Sequence, residues 1–135
     1  GDQVNLAARL ESANKACGTS ILINDTAAEA LQDQYLLRPV GRLQVVGRSE
    51  AVMCFEPLGL LKLASYPQKK MVELTHRMIQ AYTEKRWEDC LGHADELSGV
   101  DEVCSKLADL YRHNVALQQE KPTADFDGRI ELTSK

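Results

Sequence analysis

The sequence predicts an α+β fold: a helix, a strand, a second helix and a β-hairpin, followed by three consecutive helices. Three observations carry this. Apolar residues at helical spacing open the chain, strand-like stretches flank Gly47-Arg48-Ser49-Glu50, and from Met71 onward apolar positions recur every three or four residues. Of the 135 residues 44% are hydrophobic and 27% charged, a globular composition that fits one domain or a small domain with an appendage. Sixteen basic residues against 20 acidic ones, interspersed, give a net charge of −4. Such a surface has no basic field to gather nucleic acid or anionic lipid, so neither partner is expected.

Leu6, Leu10, Ala13 and Cys17 form the stripe of an amphipathic helix that Gly18 can end. Ser20–Asn24 is β-rich, and Thr26-Ala-Ala-Glu29 has the pattern of a capping box opening a short helix to about Leu31. Tyr35–Val46 and Ala51–Pro57 suit a hairpin with Gly47 in its turn, and Pro39 and Gly41 should bulge or break its first strand. Residues 58–67 read as a linker. Three helical stripes follow: Met71, Leu74, Met78 and Tyr82; then Trp87, Cys90, Leu91, Ala94 and Leu97; then Val103, Leu107, Leu110 and Leu117. Connections are expected near Lys85 and at Ser98-Gly99, and residues 121–135 read as a tail whose Phe126, Ile130 and Leu132 can pack back.

Cys17, Cys54, Cys90 and Cys104 form no CxxC pair and read as buried thiols of a reducing compartment. With no signal-peptide core and no apolar run of about 20 residues, a cytoplasmic location without direct membrane contact is expected. A zinc site from Cys90, His93, Cys104 and His113 is disfavoured by its unequal spacing. Tyr82 and Trp87 read as core rather than as a peptide-binding groove.

Asn5 and Arg9 stand out as chemistry. Four residues apart on a helix, they flank the Leu6/Leu10 stripe and would lie at the rim of whatever interface that stripe makes. An amide that both donates and accepts, beside a planar fork of donors, suits the orientation of a polar substrate and the neutralisation of phosphate charge.

Gly1-Asp-Gln-Val-Asn-Leu-Ala-Ala-Arg-Leu-Glu11 resembles a motif of the class III nucleotidyl cyclases. Asn14–Leu22 looks like the loop and strand that follow it, and Val40–Val52 like the terminal hairpin of that domain. The resemblance implies that residues 1–57 are the C-terminal part of a cyclase catalytic domain, a partial ferredoxin-like sheet. Residues 68–120 are similar to a tetratricopeptide-like helical hairpin, with Lys85 where glycine is usual and Gly92 inside a helix. The ending Asp125-Phe-Asp-Gly128 and Thr133-Ser-Lys135 resembles that of such enzymes, which makes Lys135 the expected native C-terminus.

By this resemblance the activity is that of a phosphorus–oxygen lyase converting ATP, with GTP second, to the 3′,5′-cyclic nucleotide and pyrophosphate in a homodimer. Asn5 would orient the ribose and Arg9 stabilise the α-phosphate. The aspartates that hold Mg²⁺ or Mn²⁺ in the family lie upstream of Gly1, so no metal ligand is assigned in this chain and the isolated chain is expected to be inactive. Where some members place a phosphate-contacting lysine this chain has Val46, which leaves Arg48 as the candidate substitute. The alternative is a non-catalytic interaction or dimerisation module using the helical tail. With most of the parent sheet missing, the hairpin and Ser20–Asn24 should also expose an unpaired edge and favour a dimer.

Overall fold

Pro39 and Gly41 set the geometry of the sheet. The computed structural model describes Leu10 and residues 13–132. Its elements are β1 (Ile23–Asn24), α1 (Asp25–Leu31), β2 (Tyr35–Gln44), β3 (Val52–Leu60), α2 (Tyr66–Thr83), α3 (Trp87–Val100), α4 (Ser105–Glu120) and β4 (Ile130–Glu131). Short 3₁₀ turns lie at Leu61–Leu63 and Glu102–Cys104. The fold is α+β, a four-stranded sheet in the order β1-β3-β2-β4 with helices around it. It is consistent with a partial ferredoxin-like sheet followed by helices.

β2 and β3 form the expected antiparallel hairpin, and its register shifts between Pro39 and Gly41. Arg38 pairs with Glu56 and Arg42 with Met53. Side chains alternate along a strand, so positions 53 and 56 face opposite sides and so do Arg38 and Arg42. Gly41, at φ 140, permits the bulge, and a Cβ there would collide with the hydroxyl of Tyr111. Tyr111 Oη donates to the Val40 carbonyl at 2.7 Å, tying α4 to the bulge.

Several boundaries differ from the sequence reading. α1 is capped by Asn24, whose Oδ1 accepts from Ala27 N at 2.9 Å, rather than by Thr26. Regular strand structure in the 20–24 segment is confined to Ile23 and Asn24. The expected linker 58–67 is mostly structured: β3 continues to Leu60, and Ser65 caps α2 in a capping box with Gln68. Pro57 does not end the strand because it pairs with Leu37 beside a second register shift, where a ladder donor is dispensable. Ser98 and Gly99 lie inside α3, and the break comes at Asp101, whose side chain accepts from Val103 N. The third stripe is Leu107, Ala108, Tyr111, Asn114 and Val115, while Val103 and Leu117 are exposed.

One hydrophobic cluster joins the two halves. Leu10, Ala13 and Cys17, from the first stripe, share it with Val40, Leu43 and Cys54 of the hairpin and with Leu74, Met78, Leu97 and Leu107 of the helices. The tail closes it. β4 pairs in parallel with β2 through Leu43–Ile130 and Gln44–Glu131, so the hairpin edge is paired within the chain at these positions. Ile130 and Leu132 are buried.

Candidate functional site

Asn5 and Arg9 lie outside the described residues. What the structure does describe is how the segment after them is anchored. Residues 13–17 are helical, and Leu10, Ala13 and Cys17 are buried in the common core. Gly18, at φ 70, ends the segment with its N–H on the Asn14 carbonyl at 2.8 Å. Thr19 Oγ1 then donates to Asn14 Oδ1 at 2.7 Å.

Arg48 occupies the turn between β2 and β3, half-buried, one residue after Gly47 at φ 85. Its N–H donates to the Val45 carbonyl at 3.1 Å. Its own carbonyl accepts from Gln44 Nε2 at 2.9 Å. The turn is held from outside as well. Arg129 Nη1 donates to the Ser49 carbonyl and to Gln44 Oε1, each at 3.2 Å.

Arg129 is itself fixed by Asp127. Its Nη2 reaches Asp127 Oδ2 at 2.8 Å and its Nε reaches Oδ1 at 3.0 Å, a two-point fork, while Arg42 Nη2 reaches the same carboxylate at 3.2 Å. The Arg129 hydrogen bond, with the two positive charges behind it, holds the Asp127 carboxyl well below the ordinary carboxylate range. Sequence reasoning singled out the Asp-Phe-Asp-Gly stretch as an ending whose Phe126 can pack back, and assigned Asp127 no partner. Arg42 and Asp127 are 85 positions apart, and no local pattern announces their meeting.

On the opposite face lies a second charged group. Arg38, 1% exposed, pairs with Glu56 Oε1 at 2.7 Å and points a second nitrogen at Cys104 Sγ, 3.6 Å away. Its Nε has no hydrogen-bond partner among the described residues. The four cysteines are buried free thiols. Burial pushes Cys17 and Cys54 up to about 12 and Cys90 to about 11, and it raises Cys104 against the pull of Arg38. Cys90 and Cys104 thus belong to the core, and no group of three or more His, Cys, Asp or Glu side chains able to hold a metal ion occurs among the described residues.

Tyr82, Trp87 and Tyr111 of the helices are likewise occupied, whereas Tyr66 at the start of α2 is exposed. Tyr82 packs against Trp87, Tyr111 and Phe126 at ring-centroid distances of 5.6, 5.4 and 5.2 Å. Phe126 of the tail therefore fills the space beside Tyr82 and Trp87. Lys85, at φ 62, takes the left-handed conformation, which favours glycine, between α2 and α3. No described helix is long and apolar enough to cross a membrane.

Comparison with known proteins adds one relation. Over 62 residues the chain is 39% identical to a Rhizobium meliloti (strain 1021) protein named adenylate cyclase 1. The chain shares sequence with a cyclase. The shared stretch spans 46% of this chain and 9% of that relative's length. No family model matches the chain, and no solved structure matches it. The described geometry thus stands on its own: an anchored helical segment, a hairpin turn bearing Arg48, and an Arg129–Asp127 cluster bracing that turn.

Proposed function

We propose that this chain supplies the Asn/Arg side of a class III nucleotidyl cyclase site, which converts ATP, in preference to GTP, to the 3′,5′-cyclic nucleotide and pyrophosphate. The observation that carries this reading is the 39% identity to a protein named adenylate cyclase. The motif around Asn5 and Arg9 agrees with it. Asn5 orients the ribose through its amide. Arg9 presents its fork of donors to the α-phosphate as the 3′-oxygen attacks, stabilising charge that is greater in the transition state than in the bound nucleotide. Arg48 adds a cation from the hairpin turn.

The enzyme works as a cytoplasm-facing homodimer, each site drawing Asn5 and Arg9 from one protomer and metal-binding aspartates from its partner. Mg²⁺ or Mn²⁺, held by residues outside this chain, would lower the barrier to attack and neutralise the departing pyrophosphate.

The test is Arg9→Ala in the enzyme that carries this chain. We expect kcat to fall by about 10²–10³ with little change in KM. Mixing that variant with one lacking the metal aspartates should restore activity through one intact composite site. As the matched control, the 135-residue chain supplied with ATP and Mg²⁺ or Mn²⁺ should make no cyclic nucleotide. Near-normal kcat for Arg9→Ala in a folded dimer would overturn the reading.

A further inference from the structure

We infer that Arg129 is a positioning residue for the hairpin turn that carries Arg48, acting through a strap formed by the tail that follows α4. The catalytic part of this inference rests on the cyclase reading above; the mechanical part does not. The strap is docked at two points on either side of Arg129. Upstream, Phe126 stacks edge-on against Tyr82 and Trp87, with centroids 5.2 and 5.8 Å away. Downstream, Ile130 is buried, β4 pairs with β2, and Leu132 N donates to the Gln44 carbonyl at 2.9 Å.

Between these points Arg129 divides its donors. Nε and Nη2 go to Asp127, which aims the guanidinium, and Nη1 goes to Gln44 Oε1 and the Ser49 carbonyl. Gln44 passes the constraint on, since its Nε2 donates to the Arg48 carbonyl. Two consecutive carbonyls of the turn, those of Arg48 and Ser49, are thus held by groups that Arg129 contacts or orders. A side chain on a short turn is placed no better than its backbone, and displacement by about 1 Å is enough to slow a positioned reaction severely. A lysine at 129 would keep the charge but lose the planar fork that serves Asp127, Gln44 and Ser49 together.

The experiment compares Arg129→Ala and Arg129→Lys in the enzyme that carries this chain, with three readouts. Trp87 emission reports whether Phe126, and with it the strap, stays docked. Amide hydrogen exchange in peptides covering residues 45–51 reports the turn. Steady-state kinetics with ATP and Mg²⁺ report its consequence. Both variants should keep the Trp87 signal, show turn exchange faster by about tenfold, and lose about tenfold in kcat with KM within about twofold.

Unchanged exchange at 45–51 would overturn the inference whatever the enzyme does. Faster exchange with unchanged kcat, in an enzyme that Arg9→Ala inactivates, would overturn its catalytic part. A loss of Trp87 signal in Arg129→Lys as well as Arg129→Ala would show that Arg129 docks the tail rather than the turn, and would also overturn it. An enzyme insensitive to Arg9→Ala would sink the cyclase reading and leave the exchange result to decide the mechanical part alone.

Discussion

Arg38 and Arg42 lie four residues apart on one strand, and each meets a carboxylate, yet the two groups have opposite characters. The Arg38–Glu56 pair joins neighbouring strands, with side chains 1% and 12% exposed. The Arg42–Asp127 pair joins the strand to the tail, with side chains 43% and 35% exposed. The bulge between them creates the difference. It turns Arg38 toward Cys104 and the thiol-rich interior and Arg42 toward the opposite side, where the tail arrives. An ion pair in a dry interior is costly to desolvate and costlier to break, whereas one at the rim contributes little stability and can serve geometry instead. The interior pair therefore belongs to folding. The outer one belongs to placement of the turn.

The largest expected effect tests whether the interior is as dry as this comparison requires. Cys17, Cys54 and Cys90 have pKa values raised by burial from an ordinary 9.0 to about 12, 12 and 11. Because the folded values lie above the unfolded one, their contribution is fully present below pH 9 and is lost as pH rises toward the folded values. Each such thiol should cost up to about 1.4 kcal/mol per pH unit in that window. Urea midpoints should fall steeply between pH 9 and pH 11. A flat midpoint across that range would mean that water reaches these thiols and that the two faces of β2 are less different than described.

Next in size is the removal of Glu56. Glu56→Ala leaves the Arg38 guanidinium buried with the Cys104 sulfur as its remaining hydrogen-bond partner among the described residues. It also frees the Ser20 N–H, which donates to Glu56 Oε2 at 3.2 Å. A loss of about 3–5 kcal/mol is expected, while Arg38→Met combined with Glu56→Leu should recover most of it, since two apolar groups of similar volume carry no uncompensated charge. Thermal unfolding of the single and double variants decides this. A double variant no more stable than Glu56→Ala would show that the pair contributes geometry that packing cannot replace.

Much of this fold was legible because its periodicities are strong. Leu10, Ala13 and Cys17 of the first stripe and Leu74, Met78, Tyr82, Cys90, Ala94 and Leu97 of the next two are apolar at helical spacing and buried as expected, with Met71, Trp87 and Leu91 partly buried against them and Leu6 outside the described residues. Pro39 and Gly41 announced the bulge. Its consequence was not readable, because a one-residue insertion reverses which face each later side chain takes, and only the pairing with β3 fixes where the insertion falls. The α4 stripe was misread for a different reason. Asn114 is buried there, with its Nδ2 donating to the Leu110 carbonyl at 2.9 Å, so an apolar pattern search passes over it and selects the exposed Leu117. The site divides in the same way. Asn5 and Arg9 are visible as a motif but lie outside the described residues, and Arg48 is found in the turn where the hairpin pattern placed it. Gln44, Asp127 and Arg129, which brace that turn, come together only through tertiary structure.

The smallest expected effect is the sharpest test of the comparison. Asp127→Ala removes a carboxylate that contacts two arginines, at 2.8 and 3.2 Å, so by distance alone it resembles Glu56→Ala. Solvent screens the outer group, and Arg42 and Arg129 can hydrate once released, so the loss of stability should be no more than about 1 kcal/mol at neutral pH. The folded carboxyl is depressed below its ordinary 3.8, chiefly by the Arg129 hydrogen bond. Its contribution is therefore present above about pH 3.8 and disappears as pH falls below it, and the wild type and Asp127→Ala should converge in stability in acid. Ile130 and Leu132 should keep the tail docked in the variant, with Trp87 emission unchanged, because apolar burial rather than charge holds that end. A loss as large as that of Glu56→Ala, persisting at low pH, would mean that the outer cluster is part of the folding core and that its nearness to the turn has no separate purpose.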